Sequence, residues 1–168
     1  MPLRICFVCL GNICRSPMAA VVLRSMAADE GLDVDVDSAG TGSWHLGSGM
    51  NPSAQAVLAR RGYDSNGHVA RQFRPADFAM HDLVVGLDRH NVADLNRLAP
   101  SPEEAAKVRL LREFDPALPA ADGPDAGAGS RDVPDPYGGS DHEFDEALDL
   151  IVAACRGLLT DLTAGSGR

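Results

Sequence analysis

Strand-like and helix-like stretches alternate along the whole of this chain, and that alternation limits its fold more than any other feature. Leu3 to Val8 is a short apolar, β-branched run of the kind buried within a sheet. Ser16-Pro17 then offers an N-cap with proline just inside, followed by Met18, Val22 and Met26 at helical spacing, with Gly31 as a C′ stop. Asp33 to Ser38 alternates strictly, which predicts an edge strand with one wet face. Asn51-Pro52 opens a second helix with Ala54, Val57 and Leu58 on one face and Gly62 at its end. Leu83 to Leu87 reads as a third strand, with Asp88 capping a helix that carries Val92, Leu95 and Leu98. Val108 to Leu111 is a weaker fourth strand. The last helix opens with a Ser140/Glu143 capping box and repeats Phe144, Leu148, Ile151, Cys155, Leu158 and Leu162 at steps of four and three.

Such an order predicts an α/β fold: a mostly parallel sheet, right-handed crossovers, and helices on both faces. A ligand site is then expected at the carboxyl ends of the strands. At 168 residues the chain has the length of one domain, so 1–168 is read as a single unit. From Pro116 to Asp135 the chain is rich in Pro, Ala, Gly and Asp without periodicity, the mark of a functional or mobile loop. Fifteen basic against 24 acidic residues leave a net charge of −9, which argues against nucleic-acid or anionic-membrane binding. Ile5 to Leu10 is too short for a signal peptide, and nothing approaches the ~18 apolar residues of a membrane span. A cytoplasmic location is therefore expected, with Cys6, Cys9, Cys14 and Cys155 reduced.

The chemistry gathers where the first strand ends. Cys9-Leu10-Gly11-Asn12-Ile13-Cys14-Arg15-Ser16-Pro17 runs from that strand into a helix N-terminus. A loop so placed turns backbone N–H groups inward and makes an anion nest. Gly11 and Asn12 are the residues best able to adopt left-handed angles there. Arg15 can grip two phosphoryl oxygens through its planar fork. The helix terminus and Arg15 are expected to hold Cys9 as a thiolate, a nucleophile aimed at phosphorus. Asp135, just before Pro136, suits a proton donor for a departing phenoxide, although Asp-Pro pairs also serve as plain turns. Cys14 shares the loop with Cys9, and a low-pKa thiolate is what peroxide attacks first, so a Cys9–Cys14 disulfide could protect the nucleophile.

These residues resemble the signature of the low-molecular-weight protein tyrosine phosphatases. The likeness extends to Ser38-Ala39-Gly40-Thr41, Trp44-His45-Leu46-Gly47, His68-Val69-Ala70-Arg71, Leu87-Asp88 and Asp135-Pro136-Tyr137-Gly138. It implies a four-stranded parallel sheet and metal-free hydrolysis of phosphomonoesters, with no cofactor. Cys9 matches the family's nucleophile, Arg15 its phosphate-binding arginine and Asp135 its general acid. By the same resemblance Leu10, Gly11, Asn12, Ile13, Cys14 and Ser16 line the phosphate loop. Asn12 shapes it, and the Ser16 hydroxyl bonds the thiolate. His68 braces the asparagine, Asp88 supports the site, and Trp44 and Tyr137 form opposite walls of the cleft. Read without the resemblance, Asn12 and Ser16 serve as turn and cap residues, His68 as a structural histidine and Trp44 as core. Many family members carry two adjacent tyrosines where this chain has Tyr137 followed by Gly138-Gly139.

Other patterns lead nowhere. Cys6 and Cys9 have the spacing of a zinc or redox pair, but residues three apart in a strand face opposite sides. The five histidines form no spaced metal motif, Gly40-Thr41-Gly42 lacks the third glycine of a dinucleotide fingerprint, and Cys6 and Cys155 read as buried apolar residues. The rival readings are a thiol-dependent arsenate reductase, a protein-arginine phosphatase and a phosphotyrosine-binding module without turnover. The first lacks resolving cysteines between Cys14 and Cys155, and the second typically has threonine where this chain has Ile13. The expected partners are phosphotyrosine-containing proteins and small aryl phosphates, met by a monomer.

Overall fold

A computed structural model describes residues 1–119 and 130–165. Four parallel strands, β1 (Leu3–Cys9), β2 (Val34–Gly40), β3 (Leu83–Gly86) and β4 (Val108–Leu110), form one sheet in the order β2-β1-β3-β4. The helices are α1 (Arg15–Asp29), α2 (Pro52–Arg60), α3 (Arg89–Leu98), a single turn α4 (Pro102–Ala105) and α5 (Asp141–Gly165). Two 3-10 turns, Pro75–Met80 and Leu111–Phe114, join them. Sequence periodicity missed the short pieces, since one turn is too little chain for a repeat. The family-implied four-stranded parallel sheet is present, and β2 lies at its edge as the alternation predicted. Of the irregular stretch expected between Pro116 and Asp135, residues 120–129 lie outside the described residues. No described helix is long and apolar enough to cross a membrane.

Alternation along the strands divides the interior in two. Ile5, Phe7 and Cys9 of β1 face a core built with α1, α2 and α5, including Met18, Val22, Leu58, Phe144, Leu148 and Ile151. Cys6 and Val8 face the other way, against Phe73, Phe78 and Leu95. The expected opposition of Cys6 and Cys9 is therefore real, and it leaves Cys9 at the carboxyl end of β1, level with Gly40 of β2. Two sequence-predicted ends hold in detail. Gly31 takes φ +66 after α1, and Asn51 Oδ1 accepts from the N–H groups of Ser53 and Ala54. The capping box also forms, with Ser140 N–H on Glu143 Oε2 at 3.1 Å and Glu143 N–H on Ser140 Oγ at 3.3 Å.

One expectation fails at the first helix. Its N-cap is Cys14, not Ser16, and no side chain caps it; Pro17 is the third helical residue rather than the first. The helix starts earlier because the Ser16 hydroxyl is taken by the loop before it, and proline tolerates any place in the first turn, where N–H groups lack intrahelical acceptors.

Candidate active site

Between β1 and α1 the chain folds into a bowl, and the hydrogen bonds on its outside explain its shape. The carbonyl of Cys9 accepts from Thr41 N–H and that of Leu10 from Gly42 N–H, each at 2.9 Å. The carbonyl of Ile13 accepts from Asn51 N–H at 2.9 Å, and that of Asn12 from His68 Nε2 at 2.7 Å. With these carbonyls held outward, the positive ends of the peptide groups are left toward the hollow, beside the first turn of α1. Gly40 permits the fit, because a Cβ there would lie 2.6 Å from the Leu10 carbonyl. Of the two residues expected to be left-handed, Asn12 is so at φ +57, whereas Gly11 has no positive φ. What Gly11 supplies instead is space: a Cβ would meet His45 Cδ2 at 3.0 Å.

Asn12 orders the protons around Cys9. The backbone N–H of Arg71 can only donate, and it meets Asn12 Oδ1 at 3.0 Å. Asn12 Nδ2 must then face the other way, where it donates to Ser16 Oγ and Ser38 Oγ, both at 2.9 Å. Ser16, having accepted there, turns its own proton toward Cys9 Sγ at 2.9 Å or the Ala39 carbonyl at 3.4 Å. Asn12 N–H also reaches the sulfur, at 3.3 Å. Donors converge on an atom that would carry negative charge, and such bonds are about twice as strong to an anion. His68 Nε2 donates to the Asn12 backbone carbonyl, and burial lowers the pKa of the ring.

Arg15 is buried at 3% exposure. Its Nη1 donates to Asp88 Oδ2 at 2.6 Å and to the Val133 carbonyl at 3.0 Å, leaving Nη2 toward the pocket, 3.8 Å from Asp135 Oδ2. Burial works against the charge, and Asp88, Cys9 and Asp135 more than offset it, so the guanidinium stays a cation. Asp88 also accepts from Asn91 N–H at 2.7 Å as the N-cap of α3, which fixes its carboxylate. Asp135 Oδ1 accepts from Tyr137 N–H at 3.1 Å, the turn hydrogen bond of an Asx motif. Asp135 thus shapes a turn and lines the pocket.

The pocket holds about 170 Å³ and is lined by residues 9–15 with Trp44, His45, Asp135 and Tyr137. Every sequence-predicted residue from Cys9 to Cys14 lines it, while Ser16, His68 and Asp88 stand behind as supports. Trp44 is not core: it is 74% exposed on the rim, as is Tyr137 at 59%. His45 is the residue that sequence reasoning left unassigned, though it lay inside a quoted motif; its ring sits 5.9 Å from that of Tyr137. Cys14, although it lines the pocket, is only 4% exposed, and that burial pushes its thiol up to about 12. Cys155 is buried in the main core as expected. Cys6 is also buried, but against polar neighbours: Arg71 Nη2 lies 3.7 Å from its sulfur.

The family described as low molecular weight phosphotyrosine protein phosphatase matches residues 4–166. A low molecular weight protein-tyrosine-phosphatase of Streptomyces coelicolor is 51% identical over 161 residues, covering 95% of this chain and 93% of the relative. Low molecular weight protein-tyrosine phosphatase A of Mycobacterium tuberculosis is 42% identical over 159 residues, covering 94% and 90%. The crystal structure of a protein tyrosine phosphatase from Entamoeba histolytica, with Hepes in its active site, superposes with a TM-score of 0.87 at 30% identity, covering 98% of this chain and 99% of that one.

Proposed function

The chain belongs to the low molecular weight phosphotyrosine protein phosphatase family, and from that premise we propose that it hydrolyses phosphotyrosine through a phosphocysteine formed on Cys9. The observation that carries this is the position of Cys9 Sγ on the floor of the bowl, 2.9 Å from Ser16 Oγ, with Arg15 on one side and Asp135 at the rim. The phosphoryl group occupies the bowl, with its oxygens on the loop N–H groups and the Arg15 guanidinium. The Cys9 thiolate attacks phosphorus, the P–O bond to the phenol breaks, and Asp135 gives its proton to the departing oxygen. The resulting Asp135 carboxylate takes a proton from water as that water attacks phosphorus. The S–P bond then breaks, phosphate leaves and the thiolate returns. No step needs a metal or cofactor.

Trp44, His45 and Tyr137 flank the mouth with flat rings, and Ile13 and Leu10 add apolar surface. Such walls suit an aryl group, Ile13 in place of threonine favours it over a phosphoarginine, and intact Cys9, Arg15 and Asp135 favour turnover over mere binding. The proposal includes a cytoplasmic setting, a monomer acting on phosphotyrosine-containing proteins, and a protective role for Cys14. Rapid quenching in denaturant with a radiolabelled phosphotyrosine peptide should trap radiolabelled phosphate bound covalently to Cys9. Cys9→Ser should bind the peptide without turning it over, and Arg15→Ala should lose both. Appreciable hydrolysis by the serine variant would remove Cys9 from the mechanism.

A further inference from the structure

On the sheet face that carries Cys6, a cluster of charges from three segments closes behind the phosphate loop. Arg71 Nη2 meets Asp37 Oδ2 of β2 at 3.0 Å, and its Nη1 meets Asp77 Oδ1 of the Pro75–Met80 turn at 3.1 Å. His81, just after that turn, places Nε2 2.9 Å from Asp37 Oδ1 and Nδ1 2.8 Å from the Asp77 carbonyl. A carboxylate and a carbonyl can only accept, so both ring nitrogens must carry protons. His81 is therefore the imidazolium, buried at 6% exposure. Cys6, Asp37 and His81 lie within 4.8 Å of one another and are ligand types for a transition metal. Arg71, however, already lies against both the sulfur and the carboxylate, which makes this a site for a guanidinium.

The backbone of Arg71 joins this cluster to the nucleophile. Its N–H holds Asn12 Oδ1 and its carbonyl accepts from Gly40 N–H at 2.9 Å, so the side chain is anchored in the cluster while the main chain grips the loop. We propose that Asp37, Arg71, Asp77 and His81 form a pH-sensitive latch that positions Asn12, and through Asn12 and Ser16 the sulfur of Cys9. Arg71 and His81 are positioning residues, touching neither substrate nor reacting atoms. The inference rests on the reading of Cys9 as the phosphoryl acceptor.

The sign of the pH effect follows from the contacts. Burial alone would lower the His81 pKa, but the hydrogen bonds to Asp37 and to the Asp77 backbone raise it above its ordinary value. Burial likewise opposes the Asp37 charge, and His81 and Arg71 overcome it, so that carboxyl is lowered. The latch is then complete above the depressed pKa of Asp37 and below the raised pKa of His81. Its contribution to stability is full below the unfolded His value of about 6.5 and is lost as pH rises through the folded one. Besides Asp37, the charged group that bears on His81 is Arg71, whose positive charge works against the imidazolium and is itself paired with Asp37 and Asp77. Other ionisable groups around the cluster have their own partners. Cys6, from β1, is held as a thiol by burial and Asp37. Lys107 donates to the Phe78 carbonyl of the same turn at 2.7 Å, and Asp82 pairs with Arg4 at 3.2 Å.

Tungstate, a tetrahedral dianion, reports on the bowl through the fluorescence of Trp44, and an Asp135→Asn background removes the rim carboxylate from the titration. Between about pH 5 and 9 its affinity should fall about tenfold as His81 loses a proton and one hydrogen bond. In His81→Asn and Asp37→Asn, checked for folding by circular dichroism, affinity should be low throughout and that fall absent. An unchanged fall in either folded variant would overturn the latch while leaving the phosphate site intact. No tungstate binding at any pH would overturn the reading of the bowl, and the latch with it. Nitrogen chemical shifts of the wild-type ring offer a check without substitution: a single proton on His81 near neutral pH would also overturn the latch.

Discussion

Arg15 Nη1 donates to the backbone carbonyl of Val133 at 3.0 Å, so the guanidinium proposed to grip phosphate also holds the chain two residues before Asp135. Other donors fix the same segment. Val133 N–H meets the Leu87 carbonyl at 2.9 Å, Arg112 Nη1 meets the carbonyls of Ser130 at 2.8 Å and Asp132 at 3.2 Å, and Arg89 N–H meets Asp132 Oδ1 at 2.9 Å. The proposed acid is therefore placed by main-chain contacts rather than carried on free chain, which spares reorganisation during reaction.

Asp135→Asn should separate substrates by their leaving groups. Tyrosine's phenol has a pKa of about 10, and its anion departs poorly without a proton. A general acid contributes about 10²–10⁴-fold in such a step and little when the phenol is strongly acidic. Burst kinetics should show phosphocysteine formation slowed by that factor for phosphotyrosine and far less for nitrophenyl phosphate. Equal slowing would make Asp135 a turn residue only.

Asp88→Asn tests the partner of Arg15 without breaking α3, because asparagine caps a helix as well as aspartate. The charge lost is the one 2.6 Å from Arg15 Nη1. Stability should drop by about 1–3 kcal/mol in denaturant titrations, and KM for aryl phosphates should rise more than kcat falls. An unchanged KM would show that Val133 alone orients the guanidinium.

Peroxide should inactivate the wild type reversibly. It converts the Cys9 thiolate to a sulfenic acid, which the Cys14 sulfur displaces as water, closing a disulfide that dithiothreitol reopens. Because burial pushes the Cys14 thiol up to about 12, closure should quicken as pH rises toward that value. Cys14→Ser should recover much less activity after the same treatment; equal recovery would end the idea.

Gly157→Ala should destabilise, although alanine is the better helix former by about 1 kcal/mol. A Cβ at Gly157 of α5 would lie 1.8 Å from the Phe114 carbonyl oxygen, a backbone atom. Moving the helix off the Leu111–Phe114 turn should cost about 1–3 kcal/mol, visible as a lower melting temperature. A higher one would mean that the two elements separate freely.

Periodicity and end signals sufficed for β1, the edge position of β2, the Asn51 cap, the Gly31 stop and the face of α5. Each depends on residues within about four positions of one another, where backbone geometry alone decides which side chains share a face. The cysteine, the arginine and the strand-to-helix step between them were legible for the same reason. What sequence could not determine is which distant donor takes which atom. Ser16 reads as a cap locally, but Asn12 claims its hydroxyl, and Asn12 is itself oriented by Ser38 and Arg71, 26 and 59 residues away. Trp44, which its residue type alone would place in the core, stands on the rim, His45 entered the pocket, and Cys6 met Asp37, Arg71 and His81 behind the loop. Those outcomes hang on the pairing of β1 with β2 and on the 68–81 segment packed against them. A hydrogen bond forms between atoms brought within reach, and only the assembled sheet brings these within reach.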